Sequence, residues 1–446
     1  MIKYSKTLFV LLFAMVAGVA NAQTSGVEDP TQNGINSPYS RYGFGLLSDQ
    51  GTTANRGMGG IAYGLRNKWI NIGNPASYSD VDSITFMLDA GISLQNGNYS
   101  AGGVKMNAKN ASLDYLAIQF RLLRNVGITA GIVPFSSVGY NFKSKGTLVE
   151  GTGEDNVYSY QSFNGDGGVH QTFLGVGVQL FKNFSVGVNA SYLYGDIANT
   201  VSNTYNLTTV SGRQLRYESK IKTYKVDLGL QYTFNWNKKH ALTVGGVYTL
   251  GHNINSDAYR YQDKLTYTSS SSGSYYALTT EQTDSITNAF ELPQKIGVGF
   301  TYVYDKRLTV GMDYSLQSWG NVKYPRFGSD SNNQWNFKNV SRIAVGAEYV
   351  QNPIGRNFFH RMRYRVGGYY TNSYVQVKGA DLREFGAECG VGIPIMNRYN
   401  SRSLLSISAQ YVNVSPNVSG LVKENYLRVR IGFTFNEDWF RKMLIQ

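Results

Sequence analysis

The sequence predicts an all-β fold: a 14-stranded antiparallel transmembrane β-barrel with an N-terminal hatch or plug segment. Three observations support this prediction. Strand-length segments alternate apolar and polar residues, short and long connections follow one another in turn, and an export signal stands at the start of the chain. Composition agrees, because 14% aromatic residues argue against disorder and 16% charged residues argue against a long coiled coil.

The start of the chain has the features of a secretory signal peptide. Lys3 and Lys6 precede an apolar stretch, Leu8 to Ala20, and small residues flank a cleavage position after Ala22. This stretch is shorter than the roughly 20 apolar residues that a spanning helix needs. It is therefore expected to be removed rather than to anchor the protein.

We divide the chain into a signal peptide (residues 1–22), a hatch segment (23–82) and the barrel (83–446), and we predict the bacterial outer membrane as its location. The formal charge of +13 would suit nucleic acid or a membrane surface. Export argues against nucleic acid as a partner. The lysines and arginines near the barrel rim are expected to face lipid headgroups of the outer membrane.

Alternation begins at the first predicted strand, where Phe86, Leu88 and Ala90 share one face and Thr85 and Asp89 share the other. Each predicted strand has about 10 to 15 residues, which suits a tilted strand that crosses the hydrocarbon layer. The alternative is a secreted β-sandwich with tyrosine-rich strands. The predicted strands lie at about 83–94, 111–122, 126–142, 168–180, 184–196, 220–234, 241–252, 292–303, 308–318, 340–350, 360–371, 381–395, 403–412 and 425–435.

The connections after even-numbered strands and those after odd-numbered strands differ in length. Those after even-numbered strands are short, as at 181–183, whereas most of the others are long, as at 143–167, 197–219, 253–291 and 319–339. Outer-membrane barrels have short periplasmic turns and long external loops. A soluble sandwich gives no reason for this sorting, so the short turns are predicted to face the periplasm.

Residues 23–82 do not alternate, but they contain apolar side chains such as Phe44 and Trp69 and many glycines. A barrel of fourteen strands has a lumen larger than its own side chains fill. This segment is therefore predicted to plug the barrel, and the alternative is a periplasmic extension.

Asn74, Pro75 and Ala76, which precede the first strand, resemble the Asn-Pro-Ala motif in the hatch of the FadL family of outer-membrane transporters. The strand count is also that family's. Residues 133–140 (VPFSSVGY), Leu292-Pro293 and residues 39–43 (YSRYG) are similar to the Bacteroidetes branch of the family. The resemblance covers nearly the whole mature chain.

This resemblance implies passive uptake of a hydrophobic small molecule, such as a long-chain fatty acid, with lateral release into the membrane after the hatch rearranges. Pro134 lies in the third predicted strand, and proline cannot donate a ladder hydrogen bond. Pro134 and Phe135 are therefore predicted to line a lateral opening and ligand path. A local bulge without a passage is the alternative.

Charged residues of three predicted strands point inward if the apolar faces meet lipid. We predict that these residues pair across the ladder or hold the hatch, with an anion-selectivity ring as the alternative. They are Arg361, Arg363, Arg365, Glu348, Glu384 and Glu388.

No residue pattern indicates catalysis, a metal site or a cofactor. The four histidines are scattered, His170 is interpreted as a rim residue, and the single cysteine, Cys389, cannot form a cysteine cluster. The second functional hypothesis is therefore a non-transporting barrel subunit of an envelope complex for secretion or barrel assembly. In that case loops 143–167 and 253–291 would contact protein partners. An apolar cavity ending near Pro134 would favour uptake, whereas a sealed lumen would favour the scaffold.

Overall fold

The fold is taken from a computed structural model of the chain. It describes residues 36–83, 85–144, 146–150, 156–270, 273–327, 335–353, 355–395 and 403–438. The predicted signal peptide lies outside these residues, so its assignment stays a prediction.

Fourteen long strands form one closed antiparallel barrel, as predicted from the sequence. They are β1 (Thr85–Ala101), β2 (Val104–Leu123), β3 (Val126–Lys143), β4 (Val157–Phe181), β5 (Phe184–Tyr205), β6 (Gly212–Asn235), β7 (His240–Thr249), β8 (Lys295–Tyr304), β9 (Leu308–Gln317), β10 (Val340–Tyr349), β11 (Arg363–Val377), β12 (Ala380–Ile395), β13 (Ser403–Pro416) and β14 (Lys423–Asp438). Each strand pairs with its neighbour in the chain, and β1 pairs with β14 from Thr85 opposite Asp438 to Ser100 opposite Lys423, which closes the sheet.

The alternation in sequence becomes an outer apolar face and an inner polar face. On β6, Leu228 and Leu230 are exposed on the outside, while Asp227 and Gln231 are buried inside. Exposed leucines are stable on this surface because hydrocarbon, not water, surrounds a barrel of this type. Within the described ranges, none of the helices combines the length and the apolar character that a membrane crossing requires.

The two ends of the barrel differ. One end carries the turns that join β2 to β3, β4 to β5, β6 to β7, β8 to β9 and β10 to β11, and we call it the short-turn end. At the opposite, long-loop end, β4, β5 and β6 extend beyond their predicted ranges. Three further strands extend the sheet there, at Thr147–Glu150, Ala258–Ser270 and Gly273–Ile286.

The long connections at 143–167, 197–219 and 253–291 therefore contain strands over much of their length, which the alternation did not indicate. The reason is physical. Apolar alternation requires lipid on one face, whereas main-chain pairing between strands continues wherever the backbone groups need partners. Beyond the lipid layer the pairing persists and the sequence signal disappears.

Shorter elements complete the fold. His252–Ile254 pairs with Phe290–Leu292 in a separate sheet, and Trp335–Phe337 pairs with β11. The helices are short: 3-10 turns at Pro38–Arg41 and Pro75–Asp80, and single α-helical turns at Thr53–Arg56 (α1) and Phe358–Arg361 (α2).

Residues 36–83 pack against the inward faces of the barrel strands, and we call them the plug. Its large apolar side chains are almost completely buried, and its polar groups bond to each other or to the wall. The most buried of these apolar residues are Met58, Ile61, Leu65, Ile70, Ala76 and Tyr78.

Candidate functional site

Asn74 of the Asn-Pro-Ala motif joins the plug to the wall. Its Oδ1 accepts a hydrogen bond from the Ala76 amide at 3.1 Å and caps the helical turn Pro75–Asp80. Its Nδ2 donates to the Tyr63 carbonyl at 2.7 Å and to the Leu230 carbonyl of β6 at 3.3 Å. Pro75 fits the first helical position because the amide it lacks would have no helical partner.

The main chain of the plug lies directly against glycines of the wall, which we call the glycine belt. An added Cβ on any of them would lie less than 3 Å from a main-chain atom of the plug. The contacted residues run from Met58 to Ser79 and include Pro75. Only glycine permits this approach of two backbones. The belt consists of Gly127, Gly177, Gly187, Gly245, Gly346 and Gly367, on six different strands.

Ion pairs also hold the plug. Arg56 of α1 lies 3.0 Å from Asp114 of β2, and Asp49 lies 2.6 Å from Arg342 of β10. In addition, Asp313 of β9 accepts hydrogen bonds from two plug amides at 2.6 and 2.9 Å. Buried charges are stable only when they are paired or hydrogen-bonded. These contacts therefore fix the plug at widely separated strands.

Two of the three arginines predicted to face the lumen bind one carboxylate. Glu348 of β10 accepts from Arg363 at 2.6 Å and from Arg365 at 2.7 Å, both on β11. Arg361, however, lies in α2 rather than in a strand as expected. The side chain of Asn357 accepts from the Phe359 amide and starts this helical turn, which delays the strand to Arg363.

The other two predicted carboxylates have different partners. Glu384 accepts a hydrogen bond from the Tyr369 hydroxyl at 2.5 Å. Glu388 accepts from Gln410 and lies 3.7 Å from Nη1 of Arg430 on β14. The charges thus form several small clusters against neighbouring strands.

The ladder between β2 and β3 is short. It runs from Leu123 opposite Val126 to Leu116 opposite Ile132. Beyond that pair the described residues of the two strands are not joined, and we call this region the β2–β3 gap. Pro134 follows two residues later, and the register with β4 shifts between Pro134 and Ser136, so that Phe135 is the additional residue.

The plug occupies the β3 side of the gap. Its two-residue strand, Leu46–Leu47, pairs with Ser137 and Ser136. The Ser48 amide donates to the Phe135 carbonyl at 2.9 Å, and Gln50 Nε2 donates to the Pro134 carbonyl at 3.1 Å. Pro134 and Phe135 are therefore brought together with the plug. They lie apart from the Asn74 motif, which rests on β4 to β7.

Aromatic side chains cover the plug at the long-loop end. The ring of Phe44 lies 5.8 Å from Phe290, 5.7 Å from Trp319 and 5.5 Å from Tyr324, between ring centroids. Phe44 is 1% exposed, and the Tyr324 hydroxyl donates to the carbonyl of Gly43 at 2.7 Å. We call these four rings the aromatic cap, and they join the outer loops to the plug.

A cavity of about 80 Å³ lies between the plug and the wall next to Phe135. Leu47 and Trp319 contribute apolar walls, while Lys225 and Lys295 contribute charge. For comparison, an engineered apolar cavity of about 150 Å³ binds benzene. In this conformation the cavity is too small for a hydrocarbon of that size.

The described residues contain no group of three or more His, Cys, Asp or Glu side chains that could hold a metal ion. His170 is exposed within β4, opposite Pro134, and its interpretation as a rim residue stays a prediction. Cys389 is exposed on β12. The described arrangement supports packing and binding roles.

Comparison with known families decides the relationship. The model of a family described as BamG matches residues 1–446, the whole sequence. The chain belongs to the BamG family. No curated protein sequence matches this BamG-family chain.

Solved structures similar to the BamG-family chain have FadL-like barrels. The CymD monoaromatic hydrocarbon channel matches with a TM-score of 0.55 at 14% identity, over 90% of this chain and 100% of that one. The toluene transporter TodX of P. putida matches with a TM-score of 0.56 at 12% identity, over 88% and 100% of the two chains. A FadL homologue of Pseudomonas aeruginosa gives 0.55 at 12% identity, over 88% and 99%. At these identities the likeness shows the fold alone, and it confirms the predicted FadL-like barrel.

Sequence reasoning missed the glycine belt and the aromatic cap. A signal for the belt is present, because Gly177, Gly187, Gly229 and Gly245 occupy inward positions on consecutive strands. Glycines that share one face of the sheet on neighbouring strands indicate close contact with another backbone. The cap has no comparable signal, since its rings come from distant loops.

Proposed function

We propose that this BamG-family chain is a non-transporting barrel subunit of an envelope complex, in which it acts as a protein-interaction scaffold for barrel assembly. One observation carries this proposal: the main chain of the plug lies against the glycine belt on six strands, so that a movement of the plug would have to break these contacts. A barrel that conducts no cargo can use such a filling purely for rigidity.

Three further features support the scaffold. Ion pairs fix the plug to β2 and β10, and the aromatic cap joins it to the outer loops. The sheet at the long-loop end extends beyond the barrel and presents a surface for protein contact. The BamG family model covers the whole chain.

The test is purification of the tagged full-length chain from its native outer membrane in mild detergent. We expect it to retain partner proteins in fixed stoichiometry, identified by mass spectrometry, and we expect its depletion to lower the amounts of other outer-membrane barrels. The control is a tagged barrel of similar size from the same membrane. Isolation of the chain alone, with normal levels of other barrels after depletion, would contradict the proposal.

Uptake of a hydrophobic compound is the second candidate, because the β2–β3 gap is closed by the plug rather than by the wall. In this function Pro134 and Phe135 would line the exit, and displacement of Leu46–Leu47 would open it. Fatty-acid-like cargo and a Bacteroidetes-type origin belong to this proposal. Its support is the FadL-like fold, since the similar structures named above include hydrocarbon channels.

A disulfide across the gap separates the two functions. Leu47 and Ser136 are register partners, so Leu47→Cys with Ser136→Cys, in a Cys389→Ser background, places two cysteines opposite each other. Uptake predicts that oxidation stops entry of a labelled fatty acid and that reduction restores it. The scaffold function predicts that cells with the disulfide of this variant oxidised or reduced assemble other outer-membrane barrels equally well. The Cys389→Ser chain alone is the control.

A further inference from the structure

The turns at the short-turn end of the barrel are basic, although the end of β14 there carries Glu437 and Asp438. The five described turns contain one acidic residue, Asp305, and basic residues in every turn. The long-loop end is mixed: the connections at 102–103 and 206–211 contain no charged residue, whereas Lys378 lies in the connection between β11 and β12. The basic residues at the short-turn end are Arg121, Arg124, Lys182, Lys238, Lys239, Lys306, Arg307, Arg356 and Arg361.

The densest part of this charge lies on two adjoining turns. The Asp305 amide donates to the Lys239 carbonyl at 2.7 Å, which joins the β6–β7 turn to the β8–β9 turn. Lys238, Lys239 and Lys306 are exposed, and in the described part of the chain none of them is ion-paired with a carboxylate. Arg307 does have an acidic partner, Asp305, at 3.2 Å.

The backbone of the second turn indicates that the charge has a role. Asp305 and Lys306 both have left-handed backbone angles, with φ of 51° and 55°. Such a two-residue turn favours glycine at the second position, because a side chain there is strained. The sequence nevertheless places a lysine at this position.

Large apolar side chains stand beside these cations. Trp236 precedes Lys238 and is 65% exposed, and Phe181 precedes Lys182 and is 72% exposed. In the β10–β11 turn, Phe359 is 66% exposed. Exposed aromatic rings next to lysines are typical of a membrane boundary, where the ring meets acyl chains and the ammonium meets phosphate.

We propose that the β6–β7 and β8–β9 turns form a binding site for the headgroup of an anionic phospholipid, with Lys238, Lys239 and Lys306 facing its phosphate and Trp236 facing its acyl chains. The site holds whichever of the two functions above is correct. A lipid fits better than an acidic protein because basic residues recur at every described turn around the rim and exposed aromatic rings stand beside three of these turns, as expected for contact with annular lipid. A free phosphate ion would leave the aromatic rings unused.

The experiment uses the full-length chain in nanodiscs that contain phosphatidylethanolamine with or without phosphatidylglycerol or cardiolipin. Native mass spectrometry counts the lipids that remain bound. We expect preferential retention of the anionic lipid, weakened by 1 M salt, which shortens the screening length to about 3 Å. Each lysine near an anionic surface contributes roughly fivefold in affinity, so the three together contribute about a hundredfold.

The variant Lys238→Gln/Lys239→Gln/Lys306→Gln should lose this preference. Its matched control, Lys105→Gln/Lys109→Gln/Lys264→Gln, removes three exposed lysines at the long-loop end and should keep it. Both variants must run as folded, heat-modifiable barrels on gels. Equal retention of anionic lipid by the two variants overturns the proposal. Displacement of the lipid by inorganic phosphate at matched concentration would also overturn it. A third contrary outcome is that the Lys238→Gln/Lys239→Gln/Lys306→Gln variant loses an acidic co-purified protein while its lipid retention is unchanged.

Discussion

Replacing Gly245 by alanine tests how closely the plug fits the wall. An added Cβ at this position overlaps the Tyr63 carbonyl oxygen of the plug. That oxygen accepts hydrogen bonds from Asn74 at 2.7 Å and from Gln231 at 2.9 Å. Overpacking of this kind costs about 1–3 kcal/mol, and each strained hydrogen bond adds about 0.5–1.5 kcal/mol. We therefore expect plug docking to weaken by about 2–6 kcal/mol.

The adjacent residue provides the control. A Cβ on Gly246 meets the nearest side-chain atom, on Leu230, at 3.6 Å, which is an ordinary contact. Gly246→Ala should therefore be neutral or slightly stabilising, because alanine loses less backbone freedom in a strand than glycine does.

Hydrogen exchange of the amides in residues 59–65 measures the difference. A loss of 2 kcal/mol corresponds to about 30-fold faster local opening. Both variants should keep the same protection in β7 itself. If Gly245→Ala and Gly246→Ala exchange at the same rate in residues 59–65, the plug does not depend on the glycine belt and the reasoning fails.

Three other predictions concern the aromatic cap, an ion pair within the wall and an ion pair between the plug and the wall. Phe44→Ala should cost about 3–5 kcal/mol of local stability, as for a buried phenylalanine, and should expose the loop at 318–327 to proteolysis. The control Phe181→Ala, at a lipid-facing residue, should leave cleavage unchanged. Equal cleavage of the two variants would contradict the role of the aromatic cap. Arg365→Ala should lower thermal stability by about 3–5 kcal/mol because it leaves the buried Glu348 carboxylate partly unpaired. Arg363→Ala should cost less, because the Arg363 side chain is 22% exposed. A larger loss of stability for Arg363→Ala than for Arg365→Ala would refute this. Burial raises the pKa of the Asp49 carboxyl, but the guanidinium groups of Arg342, Arg56, Arg430 and Arg428 together outweigh it and lower the pKa from 3.8 to about 2. The stabilisation from this ion pair is therefore complete above about pH 4 and lost as pH falls through about 2. Asp49→Asn should remove that part of the pH dependence of hydrogen-exchange protection in the plug. An unchanged pH dependence would count against the ion pair.

The barrel itself could be predicted from sequence because lipid imposes a period of two on each spanning strand. Leu228 and Leu230 alternate with Asp227 and Gln231, and this pattern determines the strand, its length and its inner face together. Beyond the lipid layer the same strands continue without the pattern, so the extensions of β4, β5 and β6 were missed. Arg361 was placed in a strand because its parity matched, although Asn357 starts a helical turn there.

The candidate site was only partly predictable. Pro134 indicated an interruption in β3 because proline lacks the ladder amide, and the ladder with β2 does end two residues before it. Whether this interruption serves as a passage stays a prediction. The short strand Leu46–Leu47, which pairs with the free edge of β3, could not be predicted from sequence. Two residues carry no periodicity, and their pairing depends on how the plug folds.

The position of α1 has a consequence for how the barrel is completed. Gly91 of β1 and Gly432 of β14 face each other across the closing ladder, and an added Cβ on either would lie within 3 Å of Thr53 Oγ1. The meeting of the first and last strands therefore also completes the pocket that receives α1. A chain with a misplaced N-terminal segment would lack one of the contacts that join its two terminal strands.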